Sequence, residues 1–460
     1  MAVVSRVGSS KLEGAKRIDA EYYQPRFLDL MAIQAKCVFS KRPLARLCSK
    51  IDVGFVGPMA HAYAESGVPL IQTQNVKEFV LGFERLIYIQ EWFHRLLAKS
   101  QIFKGDILIA RSGSIGNAAL VLERDPQPLN SSDIIIIRAT GINATLLCTY
   151  LNCKFGQTQI ERLSSGGLQG HINLSSLETL QVPLISSEIT AAIESKVLFG
   201  IDLLYVAQAN YTQAEQLLLS ELGLQNWKPS QTLTYVRNYS QATRARRVDA
   251  EHYQPKFDEV VRHISTYRPQ RLSKLATQII EAVKFDERQK YRYIEISDVN
   301  TSNGEISYTE REAKDLPPNA KIKVKGGELI VSKVRPTRGA IGVVPDDCRD
   351  NGVCSSAFVV LNVPSPVREF LQVYLRSTVG RTLLEQPCKG TSYPTIDDTD
   401  VKALPVPAIS TQTQERISEL VSQSRLARRE AKMILEKAKR AVEIAIEKGE
   451  DKAMEILNNG

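Results

Sequence analysis

An internal duplication constrains this chain more than any other feature of its sequence. The eleven residues Arg17–Phe27 return as Arg247–Phe257 with three substitutions, 230 residues further along a chain of 460. Two of these changes, Ile to Val and Arg to Lys, keep the chemical character of the side chain. The repeat is far longer than the roughly 20–50 residues of a solenoid unit. The sequence therefore predicts two whole modules, each able to hold its own ligand element.

The similarity continues through both halves of the chain. From Ser131 onward the two halves keep a constant offset of 224 residues, so changes in length fall in turns, as expected for diverged duplicates. The predicted equivalent positions are Gly105 and Gly327, Ile115-Gly116 and Ile341-Gly342, Ser131-Ser132 and Ser355-Ser356, and Val182-Pro183 and Val406-Pro407.

The composition is that of an ordinary globular protein, with 43% hydrophobic and 24% charged residues. No run approaches the ~20 apolar residues of a membrane helix and the N-terminus lacks the apolar core of a signal peptide, so we expect a cytoplasmic location. The seven cysteines contain no Cys-x-x-Cys pair, which indicates reduced, buried or partly buried thiols. The five histidines do not cluster with them, which argues against zinc. A net charge of +8 permits a nucleic-acid partner without requiring one.

Short β-branched runs separated by Gly, Pro, Asn and Ser turns predict an α+β fold with a mixed or mainly antiparallel sheet in each module. Helical stretches intervene at Glu91–Ser100 and Pro366–Thr378. The fold class that follows is α+β, with two duplicated β-rich modules and a pair of long antiparallel coiled-coil helices. The predicted segments are a leading segment (1–40), the first module (41–185), a central long helix (186–226), a second leading segment (227–268), the second module (269–409) and a distal long helix (410–460).

Each module is followed by a segment with helical periodicity, expected to run from Ser186 to Leu222 and from Ser410 to about Lys448. In the second helix, apolar and small residues step by three and four from Ile417 to Ala445, which is the pattern of a coiled-coil seam. We expect the two helices to pack as a stalk with one module at each end. The alternative is that each helix is an amphipathic packing element of its own module.

Several catalytic signatures are absent from the sequence. It contains no Gly-x-x-x-x-Gly-Lys-Ser/Thr loop for nucleotide phosphates. Pro317-Pro318 does not stand in the Asn/Asp-Pro-Pro-aromatic form of amino-methyltransferases, and Pro345-Asp346 has no nearby Glu-x-Lys to complete a nuclease carboxylate set. No Ser/His/Asp or Cys/His combination recurs in both halves. These absences favour binding over catalysis.

Donor-rich turns recur at matching places in the two halves, and we select them as candidate DNA-binding residues. Arg and Lys neutralise phosphates or pair with guanine, Gln and Asn bracket adenine, and Ser and Thr hold the DNA backbone. For any single residue a solvated surface turn explains the pattern equally well, but the joint pattern suits two readers of different base sequences. The candidates are Lys104, Arg111, Ser112, Ser114, Asn117, Ser164, Ser165, Gln169 and His171 in the first half, and Lys333, Arg335, Thr337, Arg338, Lys389, Thr391, Ser392 and Tyr393 in the second. A weaker third zone is Gln72–Asn75 with its counterpart Glu295–Asp298.

The chain resembles the specificity (S) subunits of type I restriction-modification systems. The resemblance is carried by the duplicated Asp-Ala-Glu-Tyr/His-Tyr-Gln-Pro segment, the strand and turn over Gly105–Gly116, and the Val-Pro ending before each long helix. It covers essentially the whole chain. It implies two target-recognition domains held apart by antiparallel helices, each reading one half of a bipartite DNA site, in a subunit without catalytic activity. One departure is Arg335-Pro-Thr-Arg338, which replaces the plain Ser-Gly-Ser of the first turn.

The resemblance also implies the partners. They are double-stranded DNA, two methyltransferase (M) subunits that dock on the helices, and up to two restriction (R) subunits, with no membrane. No cofactor is expected in this chain, whereas S-adenosylmethionine, ATP and Mg are expected in the partner subunits. From the residues alone two alternatives stay open. One is a coiled-coil scaffolding protein whose β-rich modules bind protein partners, and the other is an enzyme with an unrecognised site, such as a single-chain nuclease.

Overall fold

The computed structural model describes residues 4–9, 12, 18–84, 86–113, 115–164 and 171–458. The chain forms two compact units, the first made of residues 1–204 with 429–460 and the second of residues 205–428. Each unit contains one copy of the duplicated module, and both long helices contribute residues to both units. Among the described helices, none is long and apolar enough to span a membrane.

Within its described residues, the module of the first unit contains three sheets and five α-helices. Its strands are β1 (Lys41–Pro43), β2 (Cys48–Val53), β3 (Tyr63–Ala64), β4 (Val68–Ile71), β5 (Ile87–Ile89), β6 (Gln101–Ile102), β7 (Ile107–Ala110), β8 (Ala118–Leu120), β9 (Leu129–Ser131), β10 (Ile134–Ala139) and β11 (Gln181–Pro183). Its helices are α1 (Pro25–Lys36), α2 (Glu91–Leu96), α3 (Ala144–Asn152), α4 (Lys154–Leu163) and α5 (Leu174–Glu178). The sheet orders are β2-β10-β7-β8, β3-β5-β4-β9-β6 and β1-β11, and within them only the pair β4–β9 is parallel.

The apolar runs of this module become strands because both faces of its four-stranded sheet are covered. Leu108 and Ile136 pack in one cluster with Ile71 and Leu129 of the five-stranded sheet. Ile109, which points to the opposite face, is equally buried. A strand covered on both faces is continuously apolar rather than alternating, as in the runs that predicted these strands.

The second unit repeats this plan. After the central helix α6 (Ser187–Glu221), its helices are α7 (Tyr239–Ala245), α8 (Pro255–Ser265), α9 (Leu272–Leu275), α10 (Val367–Arg376), α11 (Thr378–Glu385) and α12 (Asp398–Ala403). Its strands are β12 (Gln270–Arg271), β13 (Thr277–Ile279), β14 (Lys290–Ile294), β15 (Thr309–Glu312), β16 (Ala320–Val324), β17 (Leu329–Ser332), β18 (Ile341–Val343), β19 (Gly352–Ser355), β20 (Phe358–Asn362) and β21 (Pro405–Val406). The orders β13-β20-β17-β18, β15-β14-β19-β16 and β12-β21 again contain one parallel pair, β14–β19. The predicted α+β class with duplicated, mainly antiparallel modules is confirmed.

The repeated eleven-residue motif docks the leading helix of each module. In both copies a 3-10 turn is followed by a helix with Pro at its first position, where the missing N–H costs nothing. Phe27 and Phe257, two residues into these helices, are buried. Equivalent ion pairs then join the motif to the module, Arg26 with Glu161 at 2.9 Å and Lys256 with Glu385 at 2.7 Å. The most similar stretch of the two halves therefore has a structural role.

The long helices have nearly the predicted bounds. The central helix α6 ends at Glu221, and the distal helix α13 (Thr411–Lys448) is followed by a further helix, α14 (Glu450–Asn458), which the sequence pattern did not predict. Gly223 and Gly449 follow the two long helices with φ of +63° and +91°, a backbone conformation that glycine adopts without strain.

Within each unit the two long helices run antiparallel. In the first unit the Ser186 amide donates to Glu450 at 2.8 Å, and the Cα of Gly200 lies against Leu435. In the second unit the Ser424 hydroxyl donates to the Ala207 carbonyl at 2.6 Å, while the Ser410 amide donates to Glu221 at 3.5 Å. Rising numbers in one helix thus meet falling numbers in the other. The predicted pair of long antiparallel coiled-coil helices is confirmed.

The predicted seam is buried except at one position. Ile434 is only half-buried, and Leu435 is buried in its place. The buried seam residues are Ile417, Leu420, Ser424, Ala427, Ala431, Ala438, Ala441 and Ala445. The alternative interpretation was that each long helix packs against a module. It also describes part of the packing, because residues of α6 share a hydrophobic core with the second module: Tyr211 and Leu218 with Leu329 and Tyr374. The helices therefore pair with each other and also complete a module core.

Candidate nucleic-acid interface

The candidate residues gather around one β-hairpin in each module. The first hairpin, β7–β8, turns over residues 111–116 and is closed by hydrogen bonds of 3.0 Å, from Gly116 N to the Ala110 carbonyl and from Ala110 N to the Asn117 carbonyl. The second hairpin, β17–β18, turns over residues 333–339 and is closed by Ser332 N donating to the Ala340 carbonyl at 3.1 Å. The second turn is therefore one residue longer than the first.

This extra residue corrects one predicted equivalence. Gly116 and Gly339 occupy the same place at the end of the turn, with φ of +91° and +80°. Ile115-Gly116 lies inside the first turn, whereas Ile341-Gly342 lies inside strand β18. The predicted match of these two dipeptides is wrong by three residues, since Ile115-Gly116 corresponds to Arg338-Gly339 at the end of the longer turn.

In the first module the turn contacts two other polar segments. Arg111, whose side chain is 27% exposed, donates from Nε to the Ile172 carbonyl at 3.1 Å and forms an ion pair of 3.1 Å with Asp133. The Ser112 hydroxyl lies 3.4 Å from that of Thr73. The turn, the segment at residues 171–172 and the third zone around Thr73 therefore form one surface.

The other candidates of the first module are distributed more widely. Lys104 lies at the opposite end of strand β7 from Arg111 and pairs with Glu123 at 2.7 Å. Ser164 donates to the Ile160 carbonyl at 2.9 Å at the end of α4. Asn117 is half-buried next to the turn, and His171 is exposed. Three candidates fall outside the described residues: Ser114, Ser165 and Gln169.

In the second module the hairpin turn and the glycine loop form one continuous polar ridge, which we call the Arg335 ridge (residues 333–339 and 389–395). Arg335 N donates to the Pro394 carbonyl at 2.7 Å, and its guanidinium donates to the Ser392 carbonyl at 3.0 Å. The same guanidinium lies 4.2 Å from the centre of the Tyr393 ring, which is 67% exposed. A half-buried arginine stacked on an exposed aromatic side chain is suited to contact bases or phosphates.

The lysine that begins each segment of the Arg335 ridge is held by a carboxylate. Lys333 pairs with Asp398 at 2.9 Å and Lys389 with Asp397 at 2.8 Å. Burial acts to raise the pKa of Asp398, but hydrogen bonds from Lys333 and Gln278 lower it overall, so the pair stays charged. The hydrogen bond to Asp397 raises the pKa of Lys389.

The remaining candidates of this module line the same ridge. Thr337 is half-buried in the short 3-10 turn Pro336–Arg338. Arg338, Thr391 and Ser392 are exposed. The second module therefore brings all eight of its candidates to one surface.

Two buried residues that hold the hairpins were not among the predicted candidates. Asn152 ends helix α3, donates to the Ala118 carbonyl at 2.8 Å and accepts from Ala118 N at 3.0 Å. Arg376 ends the equivalent helix α10 and donates to the carbonyls of Gly339 and Ile341. They are 224 residues apart, so the constant offset aligns them, but a change from Asn to Arg hid their common task.

The thiols and carboxylates of the described residues offer no clear reactive centre. All seven cysteines are free and at least partly buried. Burial raises the pKa of Cys48 to about 12 and that of Cys348 to about 11, so the nucleophilic thiolate is disfavoured at neutral pH. In the described part of the chain no three His, Cys, Asp or Glu side chains come together as a potential metal site.

Comparison with known proteins gives one curated relative. No protein-family model matches the chain. The chain is 25% identical over 164 residues to the type I restriction enzyme HindI specificity subunit of Haemophilus influenzae. The match spans 35% of this chain and 35% of that relative, about a third of each. The resemblance to type I specificity subunits is confirmed by this relative.

Solved structures show a similar but looser likeness. An S subunit of a type I restriction-modification system from M. genitalium aligns over 92% of this chain and 97% of its own, with 14% identity and a TM-score of 0.40. An HsdS subunit from Thermoanaerobacter tengcongensis aligns over 89% of this chain and 97% of its own, with 14% identity and a TM-score of 0.29. Both TM-scores are low, so the fold is established here by its own elements and not by these alignments.

Proposed function

We propose that this chain, which is similar to type I specificity subunits, is the DNA-recognition subunit of a type I restriction-modification complex. Each module, at about 41–185 and 269–409, reads one half of a bipartite DNA site. The chain has no catalytic activity of its own. The Arg335 ridge carries this proposal, because it joins cationic groups with exposed aromatic and hydroxyl groups on one surface.

Duplication supports two readers with different targets. Both modules have the same hairpin scaffold, held by a residue at the end of a following helix, which is Asn152 in one module and Arg376 in the other. The side chains on the turn differ. A conserved scaffold with varied donors is what two different half-sites require, because bases are distinguished by the donor and acceptor pattern in the groove. Each good bidentate contact discriminates by about 1–3 kcal/mol, so two modules together sum modest preferences.

The proposed partners follow from the same resemblance. Two methyltransferase subunits dock on the long helices and supply the S-adenosylmethionine site. Up to two restriction subunits supply the ATP and Mg sites. An open groove of about 510 Å³ on the distal helix, lined by Arg429, Lys432, Met433, Glu436, Lys437 and Arg440, is a candidate docking surface for an acidic, partly apolar segment of such a subunit.

Selection from duplex DNA tests the proposal. The full chain, assembled with the methyltransferase subunit of its system, is incubated with duplexes that carry two randomised blocks separated by spacers of several lengths. We expect enrichment of two short sequences at one constant spacing. The logarithm of the association constant for the selected duplex should fall linearly with the logarithm of salt concentration, since phosphate contacts release counterions.

Two other outcomes would replace the proposal. Enrichment of no sequence, together with stable protein complexes, would favour the scaffolding protein. Titratable cleavage of DNA by the purified chain alone with Mg²⁺ would favour an enzyme.

A further inference from the structure

We infer that Arg376 and Tyr211, together called the Arg376 anchor, position the second reading turn on the central helix and so determine the base selectivity of one half-site. This inference rests on the proposed function. The Arg376 guanidinium donates to the carbonyls of Gly339 and Ile341 in the hairpin and to the Thr301 carbonyl at 3.1 Å. Its Nε donates to the Tyr211 hydroxyl of helix α6 at 2.7 Å.

Both residues of the Arg376 anchor are buried, and the guanidinium at its centre is rigid. Arg376 is 3% exposed and Tyr211 is 6% exposed, so water does not compete for these hydrogen bonds. The guanidinium is planar, and its donors point in fixed directions, so satisfying four acceptors at once fixes their relative positions. Three separate segments meet at this group: the reading turn, the loop at Thr301 and the central helix.

A second pair of charged groups reinforces the same place. A Cβ added to Gly339 would lie 3.1 Å from the Arg381 guanidinium, so the end of the turn lies directly against that side chain. Glu215 lies one helical turn after Tyr211 and is attracted by Arg381 and Arg376, although burial raises its pKa overall. Two arginines from α10 and α11 therefore stand between the reading turn and the polar face of α6.

In the first module the equivalent residue holds the hairpin through hydrogen bonds within the module, not through a hydrogen bond to α6. Asn152, which stands at the position of Arg376, makes its hydrogen bonds to Ala118 and Cys148 inside the module. Its amide is too short to reach the acceptors of three segments. The second reading turn is thus tied to α6 by a polar contact, and this difference predicts unequal responses of the two half-sites.

Selectivity measurements on the full chain in its methyltransferase complex test the inference. The variants are Tyr211→Phe, which removes one hydroxyl, and Arg376→Lys, which keeps the charge but loses the fork of donors. The matched control is Tyr374→Phe, which removes another buried hydroxyl of the same module, one that donates to the Pro405 carbonyl at 2.7 Å. Dissociation constants are measured for the selected duplex and for duplexes substituted in either half-site. The half-site read by the second module is identified as the one at which Arg335→Ala lowers the base selectivity.

We expect Tyr211→Phe to reduce selectivity at that half-site by about three- to tenfold and to leave the other half-site unchanged, since one hydrogen bond to a charged group is lost. Arg376→Lys should reduce it further, and Tyr374→Phe should leave both half-sites unchanged. Unchanged selectivity in Tyr211→Phe and Arg376→Lys would overturn the inference. So would equal losses at both half-sites, or a loss in Tyr374→Phe of the same size. If the wild-type complex selects no bipartite site, that result would instead contradict the proposed function, and the inference that rests on it would fail too.

Discussion

Arg111 is held in place by its own module before any DNA is present. Its contacts with Asp133 and the Ile172 carbonyl leave about a quarter of the side chain accessible. A partly committed arginine keeps its orientation, so less conformational entropy is lost when it contacts a base. Lys104, beyond the far end of the same strand, is more exposed and pairs with Glu123, whose side chain is 87% exposed. The two cations that flank this strand are thus suited to different tasks, Arg111 to base contact and Lys104 to phosphate contact.

Paired substitutions separate these tasks. We expect Arg111→Ala to weaken DNA binding and to blur one half-site, because it removes a positioned donor. Lys104→Ala should weaken binding to all sequences about equally and lower the salt dependence by roughly one phosphate. Equilibrium binding to the selected duplex and to half-site variants at several salt concentrations measures both effects. An Arg111→Ala complex with unchanged selectivity would show that this turn does not read DNA.

An ion pair with a buried carboxylate stabilises the base of the first hairpin. Asp106 is fully buried, receives two hydrogen bonds of 2.8 Å from Arg138 and accepts from Phe103 N at 2.9 Å. Asp106→Asn removes the charge of this carboxylate, while Arg138, whose side chain is 36% exposed, keeps access to water. We expect the weakened charged hydrogen bonds to cost about 1.5–3 kcal/mol. Glu123→Gln, which breaks a surface pair nearby, should cost less than about 1 kcal/mol. Chemical denaturation of the two variants gives the comparison, and equal free energies of unfolding would contradict the role assigned to burial.

At the scale of elements, one buried carboxylate joins helix α10 to the distal helix in the second unit. Glu369 has a side chain that is 1% exposed and pairs with Arg368 at 2.7 Å and with Arg425 of α13 at 2.8 Å. Burial acts to raise the pKa of Glu369, but hydrogen bonds and charges from Arg368, Ser365 and Arg425 lower it overall. The folded state therefore favours the ionised form of Glu369.

This shift predicts a pH dependence of stability. A carboxyl group whose folded pKa is lowered stabilises the fold above its unfolded pKa, about 4.3, and the contribution is lost as pH falls through the folded pKa. Glu369→Gln should reduce the free energy of unfolding by about 1.5–3 kcal/mol at pH 7, because it weakens hydrogen bonds to two arginines that keep access to water. The difference between wild type and variant should shrink as pH falls from 5 to 3. Denaturant titrations across this range test it, and a constant difference would contradict the prediction.

The elements that the sequence predicted well are those whose signal is local. The bounds of both long helices follow from periodicity and from Gly223 and Gly449. The register of the second turn was predicted wrongly, because two Ile-Gly dipeptides were matched by their sequence. The hydrogen bond from Ser332 N to the Ala340 carbonyl instead places Gly339 at the end of the turn. Arg376 was missed for a related reason. A buried arginine in an apolar helix acquires meaning only from acceptors that tertiary structure brings to it, and these lie up to 165 residues away in the chain.

At the scale of the whole molecule, the first unit depends on residues from both ends of the chain. The segment 429–460 belongs to it and contributes Leu435, which packs against Gly200. Lys439 pairs with Glu78 at 2.6 Å, and Lys154 pairs with Glu443 at 3.9 Å. A chain built this way cannot lose residues 429–448 of α13 without exposing a core that lies more than 200 residues earlier in sequence.

Truncation after Arg428 tests this dependence. We expect faster hydrogen exchange in α6 between Ile189 and Ile201, because these buried residues lose the distal helix, while the β-sheets of the second unit keep their protection. Truncation after Gly449 is the matched control, since it removes only α14 and the contact of Glu450 with the Ser186 amide. That shorter deletion should raise exchange mainly near the start of α6. Equal exchange in the first unit of the Arg428 truncation and the full chain would mean that the module and the central helix are stable without the distal helix. The seam would then contribute little to this unit.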